Sequence, residues 1–343
     1  MVWLEFVVCA ALILFSGSRL ARYGDMLAEK TGLGRNWIGL ILLATVTSLP
    51  ELATGLSSVT LADTPEIAAG DVLGSCVFNL MLIGLIDLLF RAEPLLSRVD
   101  QGHILSASFG VLLIGLAAWG LLLGTESAFP WPFWFGPSTP VILALYAVAM
   151  RLIFHFERKR MSGILQAGEA LQYRYKEAVM GEIYRNAALH AGVIVGAGIW
   201  LPFIGNRISE VTGWGGTFVG NLLVAASTSL PEIVTSIAAV RLFAPDLAIA
   251  NLFGSNLFNL AILSIDDLAY VKGPLLFHVS FYNLYSAVAA LMMTGIGITG
   301  LIYRGQRRTW AAVTWYGAAL LGLYLLNAYL LFTITRTRGS IHQ

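Results

Sequence analysis

The chain has 343 residues, of which 57% are apolar and 12% charged, and its mean hydropathy is +0.75. Soluble domains run at about 45–50% and about 25% on those measures, so a soluble globular protein is excluded and a polytopic membrane protein is expected. The 21 basic and 20 acidic residues leave a net charge of +1, which carries no signature of a nucleic-acid partner. Two cysteines, Cys9 and Cys76, each within an apolar run, make neither a disulfide framework nor a thiolate metal site.

A spanning helix needs about 20 mostly apolar residues. Ten segments satisfy that requirement, near residues 2–21, 36–61, 67–90, 102–123, 138–156, 187–207, 216–241, 246–270, 277–302 and 310–333. The first carries Glu5 and lacks a basic leader, so it reads as a retained helix and not a cleaved signal. Basic residues concentrate on alternate links: Arg19 to Arg35 after the first span, Arg91 and Arg98 after the third, Arg151 to Arg185 after the fifth, and Arg304 to Arg308 after the ninth. Only Arg207, Lys272, Arg336 and Arg338 fall on the other side. The positive-inside rule then puts both termini on the non-cytoplasmic side of a plasma (inner) membrane. A hydrophilic stretch at 157–186 divides the chain into a first half, 1–156, a cytoplasmic linker and a second half, 187–343.

The halves are related by duplication. The segment beginning at Thr31, TGLGRNWIGLILLATVTSLPELATGLSSV, aligns with TGWGGTFVGNLLVAASTSLPEIVTSIAAV beginning at Thr212. Beyond one deletion, AAGDVLGSCVFNLMLIGLIDLL aligns with AIANLFGSNLFNLAILSIDDLA. The copies occupy 31–89 and 212–269. Five spans per half is an odd number, so the second copy enters the membrane from the opposite side. The expected fold is all-α, with ten transmembrane helices in two inverted five-helix repeats, a layout that places a transport site near the midplane. Duplication alone would equally build a symmetric bundle, but the polar residues argue for a site.

TSLPE recurs unchanged at Thr47–Glu51 and Thr228–Glu232, inside long apolar segments. A helical proline removes a donor and clashes with the preceding turn, so each helix should bend or break, leaving carbonyls near Val46 and Ser227 without intrahelical partners. Such backbone is tolerated at membrane depth only where it lines a cavity. Glu51 and Glu232 would each cost about 2.5–3.5 kcal/mol at the bilayer centre, and no Lys or Arg lies within two turns on the same segment. A bound cation or a proton is the remaining partner. The second motif is GSCVFN at Gly74–Asn79, matched by GSNLFN at Gly254–Asn259. Ser75 and Asn79, like Ser255 and Asn259, are four apart and share a helix face, with Asp71 and Asn251 one turn earlier. Together with the hydroxyls of Thr47, Ser48, Thr228 and Ser229, these hard oxygens exceed the six to eight that calcium takes. Soft metals are disfavoured. Two carboxylates invite competition between one divalent and two monovalent cations, which is antiport.

At these residues the sequence resembles the cation/calcium exchanger superfamily, specifically the sodium/calcium exchanger type, whose two inverted repeats carry motifs like TSLPE and GSNxFN. The resemblance implies an antiporter that exchanges calcium for sodium by alternating access, with no cofactor, no enzymatic activity and the transported cations and the bilayer as partners. It implies Glu51 and Glu232 as central ligands, joined by Thr47, Ser48, Ser75 and Asn79, by Thr228, Ser229, Ser255 and Asn259, and by the backbone carbonyls of Ala44 and Ala225. It also implies that the first and sixth spans move against the repeats. Relatives often carry Asp where this chain has Asn79 or Asn259, and Asn where it has Asp71, so Asp71 enters as a compensating carboxylate. Proton-coupled exchange of calcium or another divalent cation is the alternative. Asp87 and Asp267 read either as lining the access funnels or as solvated helix ends. A hydrolase is disfavoured because none of the five histidines falls in the repeated motifs.

Overall fold

The computed structural model describes residues 1–30, 44–89, 93–125, 131–166, 179–305 and 313–339. The helices are α1 (Val2–Lys30), α2 (Leu49–Thr60), α3 (Pro65–Leu89), α4 (His103–Gly124), α5 (Ser138–Gln166), α6 (Met180–Thr212), α7 (Gly216–Thr228), α8 (Leu230–Arg241), α9 (Pro245–Ala269), α10 (Asn283–Tyr303) and α11 (Trp315–Gly339). Among the described residues eight helices are long and apolar enough to cross a membrane, and α7 with α8, bent by 44°, would make a ninth span if the pair crosses as one. The expected span at 36–61 begins outside the described residues, so the count of ten is met only in part. Helices α5 and α6 run into the hydrophilic stretch from both ends, to Gln166 and from Met180, which shortens the expected linker.

Local signals explain where the helices begin and end. Pro65 and Pro245 open α3 and α9, where a missing N–H costs nothing and the fixed φ suits the first turn. Gly213, with φ of 69°, closes α6 as a left-handed cap. The two TSLPE motifs break their helices in the same way. Ser48 has φ −88° and ψ 13°, Ser229 has φ −83° and ψ 10°, and each proline follows in the first turn of the new helix. Upstream of the second break, α7 contains a π-helical turn at Val219–Val224, a widening often found beside functional sites.

Helices α3 and α9 form the centre. In each, 83% of the spanning window is buried, and they pack against one another and against the broken-helix segments α2 and α8. Lipid is as apolar as leucine, so this packing rests on close approach and polar bonding more than on expulsion of water. Gly70 and Gly74 supply the approach: a Cβ at Gly74 would lie 2.6 Å from Asn221 Cα, and one at Gly70 would lie 3.0 Å from Gly220 Cα. The π-helical part of α7 therefore sits directly on α3. A separate apolar cluster joins α1 to α6 through Cys9, Ile13, Leu201, Ile204 and Ile208, distinct from the main core around α3 and α9. Peripheral positions such as Leu4, Phe15, Val148, Leu152 and Leu325 are exposed, as a lipid-facing surface requires.

Acids at both ends of the two central helices pin the neighbouring elements. Asp87, on α3, accepts from the Leu95 N–H at 2.8 Å and from the hydroxyls of Thr314 and Tyr316 at 2.7 and 2.6 Å. Asp267, on α9, accepts from the N–H groups of Leu275 at 2.5 Å and Gly136 at 2.6 Å and from the Thr139 hydroxyl. Both are almost wholly buried. The expectation that they line funnels or sit in solvated helix ends is thereby corrected: each holds neighbouring segments by accepting their donors. At the opposite ends, Glu66 accepts from Ser280 N–H and Asn283 Nδ2, while Asp246 accepts from Asp100 N–H and faces His103 Nε2 at 3.0 Å. The partners Ser280 and Asp100, like Asn283 and His103, are 180 residues apart, so the duplication reaches beyond the motifs that reveal it.

Candidate ion-binding site

The two breaks bring their glutamates into a shared, fully buried region: Glu51, Glu232, Asp71, Asn79, Asn259, Ser48, Ser75, Ser229, Ser255, Thr47 and Thr228 are all 0% exposed. The contacts cross between repeats. Ser229 Oγ donates to Glu51 Oε1 at 3.2 Å, and Ser48 Oγ donates to Glu232 Oε1 at 3.4 Å. Ser255 Oγ donates to the same Glu232 oxygen at 3.2 Å, and Thr47 also faces Glu232. From Glu51 a chain of hydroxyls continues through Ser229 to Ser75 at 3.0 Å, on to Thr228 at 3.4 Å, and ends where Thr228 donates to Asp71 Oδ1 at 2.8 Å. Asp71 is thus joined to the glutamates by hydrogen bonds, whereas its counterpart Asn251 donates to Thr235 at 3.2 Å.

The carbonyls of Ala44 and Ala225 stand at the breaks, and each already accepts from the N–H of Ser48 or Ser229, at 3.0 and 3.1 Å, and from a threonine hydroxyl, at 3.2 and 3.1 Å. A threonine hydroxyl has one proton to give, and those of Thr47 and Thr228 are also within reach of Glu232 and Asp71, so each carbonyl keeps a lone pair for a cation whenever its threonine turns to the carboxylate. Asn79 Nδ2 donates to Asn256 Oδ1 at 3.1 Å, and Asn256 Nδ2 donates to the Cys76 carbonyl at 3.2 Å.

Several oxygens at this level have no hydrogen-bond partner: Oε2 of Glu51 and Glu232, Oδ2 of Asp71, and Oδ1 of Asn79 and Asn259. Buried polar groups are nearly always satisfied, and an unpaired carboxylate is the most expensive kind to leave alone. Five unsatisfied acceptors, each on a residue the repeated motifs single out, describe a donor set for a cation. Among the described residues no three Asp, Glu, His or Cys side chains gather into a metal cluster; the oxygens here come largely from Ser, Thr and Asn, which suits hard cations.

A profile described as sodium/calcium exchanger protein matches residues 1–155 and 188–335. The chain belongs to this family. The exchanger is 25% identical over 346 residues to the inner membrane protein YrbG of Escherichia coli, covering 92% of this chain and 97% of the relative. It is 24% identical over 369 residues to the sodium/calcium exchanger MaX1 of Methanosarcina acetivorans, covering 97% and 100%. Its fold resembles that of the H+/Ca2+ exchanger CAX, with a TM-score of 0.68, 12% identity and coverage of 98% and 86%. It also resembles the sodium-calcium exchanger NCX_Mj, with a TM-score of 0.57, 20% identity and coverage of 95% and 98%. The exchanger is therefore a cation transporter of the bilayer and not an enzyme.

Three residues of the exchanger's site escape a reading built on repeated motifs. Asn256 aligns with Cys76, so its bond to Asn79 is invisible to any search for identity. Cys76 itself, read only as making no thiolate site, places Sγ 4.0 Å from the Asn256 carbonyl and beside Asn259. Asp266 aligns with Ile86, and its neighbour Asp267 drew the attention because Asp267 has a counterpart. Scanning the duplication for mismatches in polarity would have found all three.

Proposed function

We propose that this exchanger carries calcium in exchange for sodium by alternating access, binding both at the level of the two TSLPE breaks. The observation that carries the reading is the reciprocal pairing of Ser48 with Glu232 and of Ser229 with Glu51, with Oε2 of each glutamate unpartnered. Two carboxylates from different halves then share one site whose charge a divalent cation or two monovalent cations would balance. Glu51, Glu232, Asn79, Asn259, Ser75, Ser255, Thr47, Thr228, Ser48 and Ser229 would supply ligands, Ala44 and Ala225 their carbonyls, and Asp71 a further negative charge reached through Thr228. The halves would be inverted repeats of five spans, with both termini on the non-cytoplasmic side.

The mobile body in this reading is the pair α1 and α6, which share an apolar cluster that also takes in Ile67 of α3 and Val219 and Val224 of α7. Each lays a glycine on the broken helix of a repeat. A Cβ at Gly17 would overlap Pro231, and one at Gly198 would lie 2.6 Å from Ala53 Cβ and 3.2 Å from the Pro50 carbonyl. These glycines are 181 residues apart and leave a smooth track over each break.

Purified protein in proteoliposomes is expected to take up calcium when an outward sodium gradient is imposed. Uptake indifferent to sodium but driven by a proton gradient would replace this reading with proton-coupled exchange.

A further inference from the structure

Beyond the residues of the repeated motifs, α9 holds one more carboxylate that no described residue satisfies. Asp266 is 0% exposed, and neither of its oxygens has a hydrogen-bond partner. Asp267, next in the chain, accepts from three donors, so the contrast is not a general property of this end of the helix. The Asp266 carboxyl rests against Gly55 of α2, where any Cβ would overlap it. Gly55 lies four residues after Glu51 and so shares its helix face one turn on. Asp266 therefore stands about one turn, ~5.4 Å along the axis, beyond the central glutamate. Further the same way, at the ends of α2 and α9, the Lys272 ammonium meets Asp63 at 2.7 Å on the protein surface.

The arrangement occurs once. In the first repeat the position of Asp266 is Ile86, and in the second the position of Gly55 is Ser236; Ser236 Oγ is also buried without a partner. An intramembrane acid without a partner marks a pathway more often than a structural element. The charged groups that act on it from the packed elements are themselves acidic: Asp71 on α3 and Asp267 on α9. No described Lys, Arg or His is bonded to it. A metal cation would need several more oxygens, and no cluster of ligating side chains forms there. A proton needs none.

We propose that Asp266 is a proton-carrying station between the central site and the membrane face at the ends of α2 and α9. It would take a proton from water at that face, forming an O–H bond on the carboxylate, and return it to the same side or pass it inward to Glu51 as the cation leaves. This rests on the cation-exchange reading for its purpose, though not for its test.

Infrared difference spectra of the purified protein, recorded with and without calcium at neutral pH, report protonated carboxyl groups without any need for transport. The wild type is expected to show a protonated-carboxyl C=O band that Asp266→Asn lacks, and the pH dependence of calcium uptake should be flatter in the variant by at least several-fold across the titration. Asp266→Ile, which installs the residue of the first repeat, should behave alike. A wild type with no such band, or an Asp266→Asn protein with the band unchanged, would overturn the assignment. Because the band is read on purified protein, failure of calcium-for-sodium exchange leaves this result standing by itself.

Discussion

Adjacent carboxylates on α9 make opposite predictions for stability. In Asp267→Asn, one carboxylate oxygen becomes an NH2 group. If the amide oxygen keeps the pair formed by Gly136 N–H and Thr139, the new NH2 faces the Leu275 N–H, which approaches the native oxygen at 2.5 Å, and one buried donor is orphaned. That loss is worth about 1–3 kcal/mol. The two bonds that survive change from charged to neutral acceptors, at roughly 1 kcal/mol each. The variant should therefore lose on the order of 3 kcal/mol. Asp266→Asn orphans no donor, because neither Asp266 oxygen accepts one, and should change stability by less than about 1 kcal/mol. The assay is size-exclusion chromatography of detergent-solubilised protein after a graded heat step, which treats irreversible unfolding as an operational midpoint. Asp267→Asn should lower the midpoint by several degrees while Asp266→Asn leaves it in place. The reverse order would refute the account of both residues.

Glu51→Gln and Glu232→Gln should each abolish exchange while the protein elutes as a folded peak, since each amide keeps one oxygen for its serine partner; retained transport in both would remove the site assignment. Gly198→Val should leave ligand binding measurable and slow exchange at least tenfold, because its side chain would meet Ala53 and the Pro50 carbonyl; unchanged turnover would show that α6 does not slide there. Thr228→Val removes the donor that meets Asp71 at 2.8 Å and should weaken calcium affinity more than Thr235→Val does, a comparison read by isothermal titration. Asp63→Asn breaks an exposed ion pair with Lys272, which water and salt screen, and should alter neither melting nor uptake.

Most of the fold was legible because the membrane restricts the chain so severely. Apolar length placed eight of the ten expected spans on long helices and a further one on the bent α7–α8 pair, and an unchanged TSLPE in each half located both breaks, whose backbone angles agree to within a few degrees. Glu51 and Glu232 stood out because an acid in lipid demands an explanation. What stayed hidden was relational. No periodicity in the sequence says that Ser48 serves the other repeat's glutamate, since that depends on how two helix pairs cross. Asp87 and Asp267 could be seen as paired, and a shared signal lay eight residues on, where Pro-Leu-Leu places the Leu95 and Leu275 N–H donors. Their other donors, Thr314 and Tyr316 in one case and Gly136 and Thr139 in the other, come from distant segments with no shared motif, so those bonds could only be read in three dimensions.

The cross-repeat bonds have a consequence for coupling. Each glutamate is oriented by a serine from the opposite break, so neither half can present its carboxylate correctly unless the other half's helix is broken in the same place. A cation bound between Glu51 and Glu232 would be held by both breaks at once, while α1 touches Pro231 and α6 touches Ala53 and the Pro50 carbonyl. Displacement of that cation would remove the charge that balances two acids in a region where no described basic side chain is bonded to them, and the resulting repulsion would act on the very helices over which α1 and α6 lie. In the proposed mechanism, binding chemistry and the sliding surface would share residues 50 to 53 and Pro231, which would give ion exchange a direct mechanical route to the α1–α6 pair. That route needs no relay of side chains from a distant site.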